Sequence, residues 1–148
     1  MQIILFKPEI PQNTGNIIRT CYLTNASLSI VTPASFSLSD RNLKRAGLDY
    51  FKDMKLEKIQ NLETYLLDKQ HFYFFSSKAT KTYSSITYEK DAILIFGSET
   101  TGLPKIFFEK YEDKFLKIPM KKNSRCLNLS NSVAIALYEA LRQNNFSF

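Results

Sequence analysis

The chain is predicted to fold as one α/β domain, a mostly parallel sheet flanked by helices. Two observations support this. Short apolar runs recur at Gln2–Phe6, Leu28–Thr32, Phe72–Phe75, Ala92–Phe96 and Phe115–Ile118, too continuous for half-exposed strands and right for strands buried on both faces. Between them lie segments with helical spacing, and strand–helix alternation is the signature of a parallel sheet covered on both sides. At 148 residues there is room for one domain and not two.

Gln2–Phe6 reads as a buried first strand, ended by Lys7-Pro8. Pro8 and Pro11 hold the following residues extended. From about Asn13 the pattern turns helical, with Ile17, Ile18, Cys21 and Tyr22 on one face and Asn13 or Thr14 as the cap. Asn16 and Arg19 share another face near the positive helix start, where an anionic or electron-rich ligand could be held. Leu28–Thr32 is the second strand and 33–39 a polar connection. Asp40 could cap a helix whose Arg41, Lys44 and Arg45 share one face, a ready phosphate contact or plain solvated surface. Leu62, Tyr65 and Leu66 mark a further helix. Phe72–Phe75 is a core strand, and residues 76–81 form a polar loop at its C-terminal end, where open α/β sheets bind ligands.

The last third carries most of the unusual chemistry. The strand Ala92–Phe96 runs into the loop Gly97-Ser-Glu-Thr-Thr-Gly102-Leu-Pro104, then a short helix, the strand Phe115–Ile118, a polar loop, and a closing helix with Val133, Leu137, Ala140 and Leu141 at core spacing. Gly97 and Gly102 have the spacing of the outer P-loop glycines. Leu103 and Pro104, however, stand where that motif needs Lys and Ser or Thr, so nucleoside triphosphate hydrolysis is excluded. In the second loop, Ser130 or Asn128 could cap the closing helix. Tyr138, one turn after Ala134, could face the same pocket or sit in the core.

Composition narrows the function classes. With 44% hydrophobic and 23% charged residues the chain is globular. No apolar run reaches membrane-span length, and Lys7-Pro8-Glu9 interrupts any signal-peptide core, so a cytoplasmic protein with no membrane role is expected. Two distant cysteines and one histidine argue against a disulfide framework or a metal site, and His71 is read as merely opening a strand. A net charge of +6 suits a nucleic-acid partner. The four glycines, at 15, 47, 97 and 102, cannot form the GxGxxG fingerprint of Rossmann-type sites.

Four segments together carry a resemblance. They are Pro8-Glu9-Ile10-Pro11-Gln-Asn13-Thr-Gly15-Asn16-Ile-Ile-Arg19, Arg45-Ala-Gly47-Leu-Asp49-Tyr50, Phe96-Gly97-Ser-Glu99-Thr-Thr-Gly102-Leu-Pro104, and Ile118-Pro-Met120 with Ser124-Arg125-Cys-Leu-Asn128-Leu-Ser130-Asn131. In this order and spacing the chain resembles the SpoU branch of the SPOUT RNA methyltransferases, nearest to the small subfamily that 2'-O-methylates the wobble nucleotide of leucine tRNAs. The resemblance implies a C-terminal deep trefoil knot, which nothing in periodicity or composition indicates. It implies S-adenosylmethionine as methyl donor with no metal, tRNA as substrate, and a homodimer.

Carried over by position, the cofactor would lie against Phe75, Ser76 and Ser77, the Gly97–Gly102 loop, and Ile118 with Cys126 and Leu127. Arg19, Glu99, Asn128, Ser130 and Asn131 match residues near the methyl-transfer centre. Arg41, Lys44, Arg45, Arg125 and Tyr138 are the RNA-binding candidates. A guanidinium is almost never deprotonated, so Arg19 is expected to stabilise a developing alkoxide or grip the adjacent phosphate. Cys126 stands where the family has serine and Ser98 where it has proline; backbone atoms would do the binding at both. Two other readings remain: methylation of ribosomal RNA, which usually comes with an extra RNA-binding domain, and a non-catalytic RNA-binding protein, against which Arg19, Glu99 and Asn128 weigh.

Overall fold

The computed structural model describes residues 1–36, 56–122 and 124–148. The expected helix with Arg41, Lys44 and Arg45 lies outside the described residues. Within them, seven strands form one all-parallel sheet: β1 (Gln2–Phe6), β2 (Ser27–Val31), β3 (Leu56–Ile59), β4 (Phe72–Phe75), β5 (Lys81–Thr82), β6 (Ile93–Phe96) and β7 (Phe115–Lys117), in the order β3-β2-β1-β6-β4-β7-β5. The helices are α1 (Pro11–Leu23), α2 (Leu62–Tyr65), α3 (Lys105–Lys110) and α4 (Leu129–Gln143).

Side chains alternate across the sheet, which divides the core in two. Ile3 and Leu5 of β1 and Leu94 and Phe96 of β6 point to the face covered by α1 and α4, where Ile17, Ile18, Cys21, Val133, Leu137 and Leu141 pack. Ile4 and Ile95 point the other way, onto Leu62, Phe72, Phe74, Phe107 and Phe115. Phe74 stacks on Phe115 with ring centroids 4.8 Å apart. With both faces covered, the central strands need no polar alternation, as their sequences anticipate.

Several local expectations are corrected. Helix α1 begins at Pro11, and neither Asn13 nor Thr14 caps it: both are buried inside its first turns, and Ile10 holds the cap position without a side-chain bond. Proline suits a first turn because its missing N–H has no intrahelical partner there anyway. Tyr22 is 43% exposed, unlike Ile17, Ile18 and Cys21, because it lies one residue further round the helix than Cys21 and off the buried stripe. Strand β3 escapes the apolar-run criterion because Glu57 and Lys58 make it a charged edge, a common guard against edge-to-edge pairing. Strand β5 is two residues of the polar stretch after β4, drawn into register with Leu116 and Lys117.

Candidate functional site

Parallel pairing sends the loops after β1, β4, β6 and β7 to one edge of the sheet, its carboxyl edge, where α/β folds place ligands. There they enclose a cavity of about 980 Å³. The loop after β4 contributes Phe75, Ser76 and Ser77, that after β6 Gly97 to Leu103, and that after β7 Ile118, Met120, Cys126, Leu127 and Asn128. Ile10 and Asn13 add the fourth side. All the residues assigned above to the cofactor thus line one space. Phe75 and Phe96 stack on one wall with centroids 4.6 Å apart, and the Cys126 thiol lies 3.6 Å from the Ser77 hydroxyl.

The 97–102 segment is a tight crossing. Ser98 and Gly102 exchange backbone bonds of 3.0 and 3.3 Å, and Gly102 takes φ +70°, the left-handed region that favours glycine. Gly97 is needed for space: a Cβ there would lie 2.3 Å from the Gly102 carbonyl carbon. The buried Ser98 hydroxyl sits 2.7 Å from that of Thr101, so the serine standing in place of proline helps tie the turn.

Glu99 and Asn128 are already engaged. The Glu99 carboxylate accepts from the backbone N–H of Glu9 (2.8 Å) and Ile10 (3.2 Å) and from Asn13 Nδ2 (2.9 Å). It thereby serves the chain entering α1, where no local side chain does. Asn128 Nδ2 donates to Asn13 Oδ1 at 2.8 Å, while its Oδ1 accepts from the backbone of Ser130 and Asn131 and from the Ser130 hydroxyl. Of the two capping candidates for α4, Asn128 is therefore the cap, and Ser130 supports it. Asn13, expected to be a helix cap, is instead the 5%-exposed junction between Glu99 and Asn128. Its place in the Pro11-Gln-Asn13-Thr-Gly15 string was the only sequence signal.

The remaining candidates are dispersed. Arg19 lies on the exposed side of α1, outside the cavity wall but on the helix that starts at its rim. Arg125 is exposed on the loop after β7, with Lys121 and Lys122. Tyr138 is 46% exposed beside Ile135, neither in the core nor on the cavity wall. His71 Nδ1 meets Asp91 Oδ1 at 2.9 Å, at the opposite edge of the sheet. Burial pushes the Cys21 thiol up to about 12. Among the described residues, no group of three or more His, Cys, Asp or Glu is placed to hold a metal ion, and no helix is long and apolar enough to cross a membrane.

Residues 1–138 match the SpoU rRNA Methylase family. A tRNA (cytidine(34)-2'-O)-methyltransferase of Methylovorus glucosotrophus is 41% identical over 148 residues, covering 98% of this chain and 96% of that protein. A solved structure concerned with the 2-OH methylation of C/U34 on tRNA superposes with a TM-score of 0.91 at 35% identity, covering 97% and 95% of the two chains. The SpoU methyltransferase AviRb from Streptomyces viridochromogenes, in complex with AdoMet, shares the fold at 20% identity and a TM-score of 0.86, over 98% of this chain and 60% of that one.

Proposed function

The chain belongs to the SpoU rRNA Methylase family, and from that premise we propose that it transfers a methyl group from S-adenosylmethionine to the ribose 2'-hydroxyl of the wobble nucleotide, cytidine 34 or uridine 34, of tRNA. The observation that carries this reading is 41% identity, over nearly the whole of both chains, to a methyltransferase named for that activity. The structure adds a cavity of suitable size and character at the carboxyl edge of the sheet.

The fit rests on the chain's own groups. An aromatic wall of Phe75 and Phe96, with Ile118 and Leu127 nearby, suits a purine, and Gly97 lets backbone approach where a Cβ would collide. Backbone groups of Phe75, Ser76, Gly97, Gly102, Ile118, Cys126 and Leu127 would hold the cofactor. When bound, S-adenosylmethionine supplies a methyl group already activated on a sulfonium. The protein then has to place the hydroxyl in line and provide for its proton. Arg19 stabilises the developing alkoxide or holds the neighbouring phosphate; it does not act as a base. Glu99, Asn128, Ser130 and Asn131 keep the site in shape through the bonds they make, and Arg125 with Lys121 and Lys122 meets phosphates.

The same reading takes the chain as one SPOUT domain with a C-terminal trefoil knot. In support, β7 lies between β4 and β5, both earlier in sequence, before the chain recrosses the carboxyl edge to reach α4. It also makes the protein a cytoplasmic homodimer. Exposed Tyr22 and Leu23 of α1 and Ile135 and Tyr138 of α4, two helices packed on one face, support a self-association surface.

The test is incubation with labelled S-adenosylmethionine and bulk tRNA from a strain lacking the gene, with the labelled nucleotide mapped by nuclease digestion and mass spectrometry. Label on a 2'-O-methylated wobble nucleotide is expected, and Arg19→Ala should lose transfer while retaining cofactor binding. No label on tRNA from a protein that binds the cofactor would overturn the tRNA substrate in favour of ribosomal RNA, and failure to bind the cofactor would favour the non-catalytic reading.

A further inference from the structure

The segment after β1 and the loop after β6 are tied by a pair of reciprocal bonds. Glu99 receives the backbone N–H groups of Glu9 and Ile10, and Glu9 returns the arrangement: its carboxylate accepts from the Thr100 N–H at 3.2 Å and from the Thr100 hydroxyl at 2.8 Å to Oε1 and 2.6 Å to Oε2. Each segment therefore uses its own acid to satisfy the other's backbone, across about ninety residues of sequence. Ile10, Glu99 and Thr100 all line the cavity.

We propose that Glu9 is a positioning residue for the methyl donor: its bonds to Thr100 hold the 97–102 loop in its binding shape before the cofactor arrives. This rests on the reading of the cavity as the S-adenosylmethionine site. The Ser98–Gly102 pair closes the base of the loop but leaves Thr100 and Thr101 exposed at its tip. Glu9 reaches that tip from outside the loop, through its bonds to Thr100. A loop that must be ordered by its ligand weakens binding by the cost of that ordering, and a pre-fixed loop does not. Glu9 is half-buried and Thr100 exposed, both outside the two apolar clusters, so their effect falls on the site more than on the fold.

The experiment is calorimetric titration of S-adenosylmethionine into the full-length protein, its Glu9→Ala, Glu9→Gln and Thr100→Ala variants and the Glu9→Ala/Thr100→Ala double variant, with melting temperatures alongside. Glu9→Ala should raise Kd about tenfold, roughly 1.4 kcal/mol, with little change in Tm. Glu9→Gln should recover part of the loss, because its amide oxygen still accepts from Thr100. The double variant should be no worse than Glu9→Ala, as expected when both groups serve one interaction. Wild-type Kd in Glu9→Ala, or losses that multiply in the double variant, would overturn the role of Glu9. Absence of binding by the unaltered protein would instead overturn the cofactor reading itself.

Discussion

Replacing Gly97 with alanine isolates the steric demand of the site. The new Cβ would lie 2.3 Å from the Gly102 carbonyl carbon, 2.5 Å from the Leu103 nitrogen and 2.7 Å from the Gly102 Cα. All three atoms are backbone, so no rotamer change relieves the clash. Ordinary contact begins near 3.4 Å, so the two sides of the crossing must separate by 3.4 − 2.3 = 1.1 Å, against the bonds between Ser98 and Gly102. Overpacking costs about 1–3 kcal/mol, and an immovable backbone places this case near the top of that range. At roughly 2–4 °C per kcal/mol for a chain of this size, Tm should fall by about 5–10 °C. Cofactor affinity should fall with it, since the displaced atoms form the cavity wall. Differential scanning fluorimetry and calorimetric titration measure both. Gly102→Ala is the contrasting case: nothing lies within 4 Å of its Cβ, and only φ +70° opposes it, costing about 1–2 kcal/mol. A Gly97→Ala protein with wild-type Tm and affinity would refute the steric argument.

Two further predictions concern titratable groups. At neutral pH a thiol reagent should modify exposed Cys126 and spare Cys21, which is fully buried and whose thiol burial pushes up to about 12; S-adenosylmethionine should protect Cys126, and mass spectrometry showing equal labelling or no protection would count against the assignment. Hydrogen bonds from Arg142 and then Gln143 hold the Glu139 carboxyl down at about 2, from 4.5. A depressed acid contributes stability above its unfolded value and loses it as pH falls from about 4.5 to about 2. With Arg142 62% exposed, the contribution is on the order of 1 kcal/mol. Glu139→Gln should accordingly flatten the decline of Tm over that window, and superimposable profiles would sink the idea.

What the sequence discloses here is local. The runs Gln2–Phe6, Phe72–Phe75 and Ile93–Phe96 announce strands because both faces of each are buried, and the α4 stripe announces a helix because only one of its faces is. Strand order leaves no such mark: nothing near Gln2 says that its neighbours will be Ser27 on one side and Ile93 on the other. The same limit applies to the site. A cap at Asn128 is readable from the residues that follow it, whereas its bond to Asn13 spans 115 positions and depends on the sheet bringing two loops together. Glu99 shows the mixture: the motif picks out the residue, but its partners Glu9 and Ile10 belong to a helix start that the sequence assigned to a local cap.

The placement of β1 beside β6 has a consequence for how the molecule comes into being. Strand β1 lies inside the sheet, and one of its two neighbours, far later in sequence, ends at Phe96. During synthesis β1 can pair with β2 early, yet its other edge stays open until β6, about ninety residues later, has left the ribosome. Sheets closed by such distant partners fold slowly, since the entropy of closing the long loop is lost before the pairing stabilises it. For that interval an apolar strand with a free edge is a target for other chains, so the nascent protein has most need of a chaperone between completion of β2 and arrival of β6.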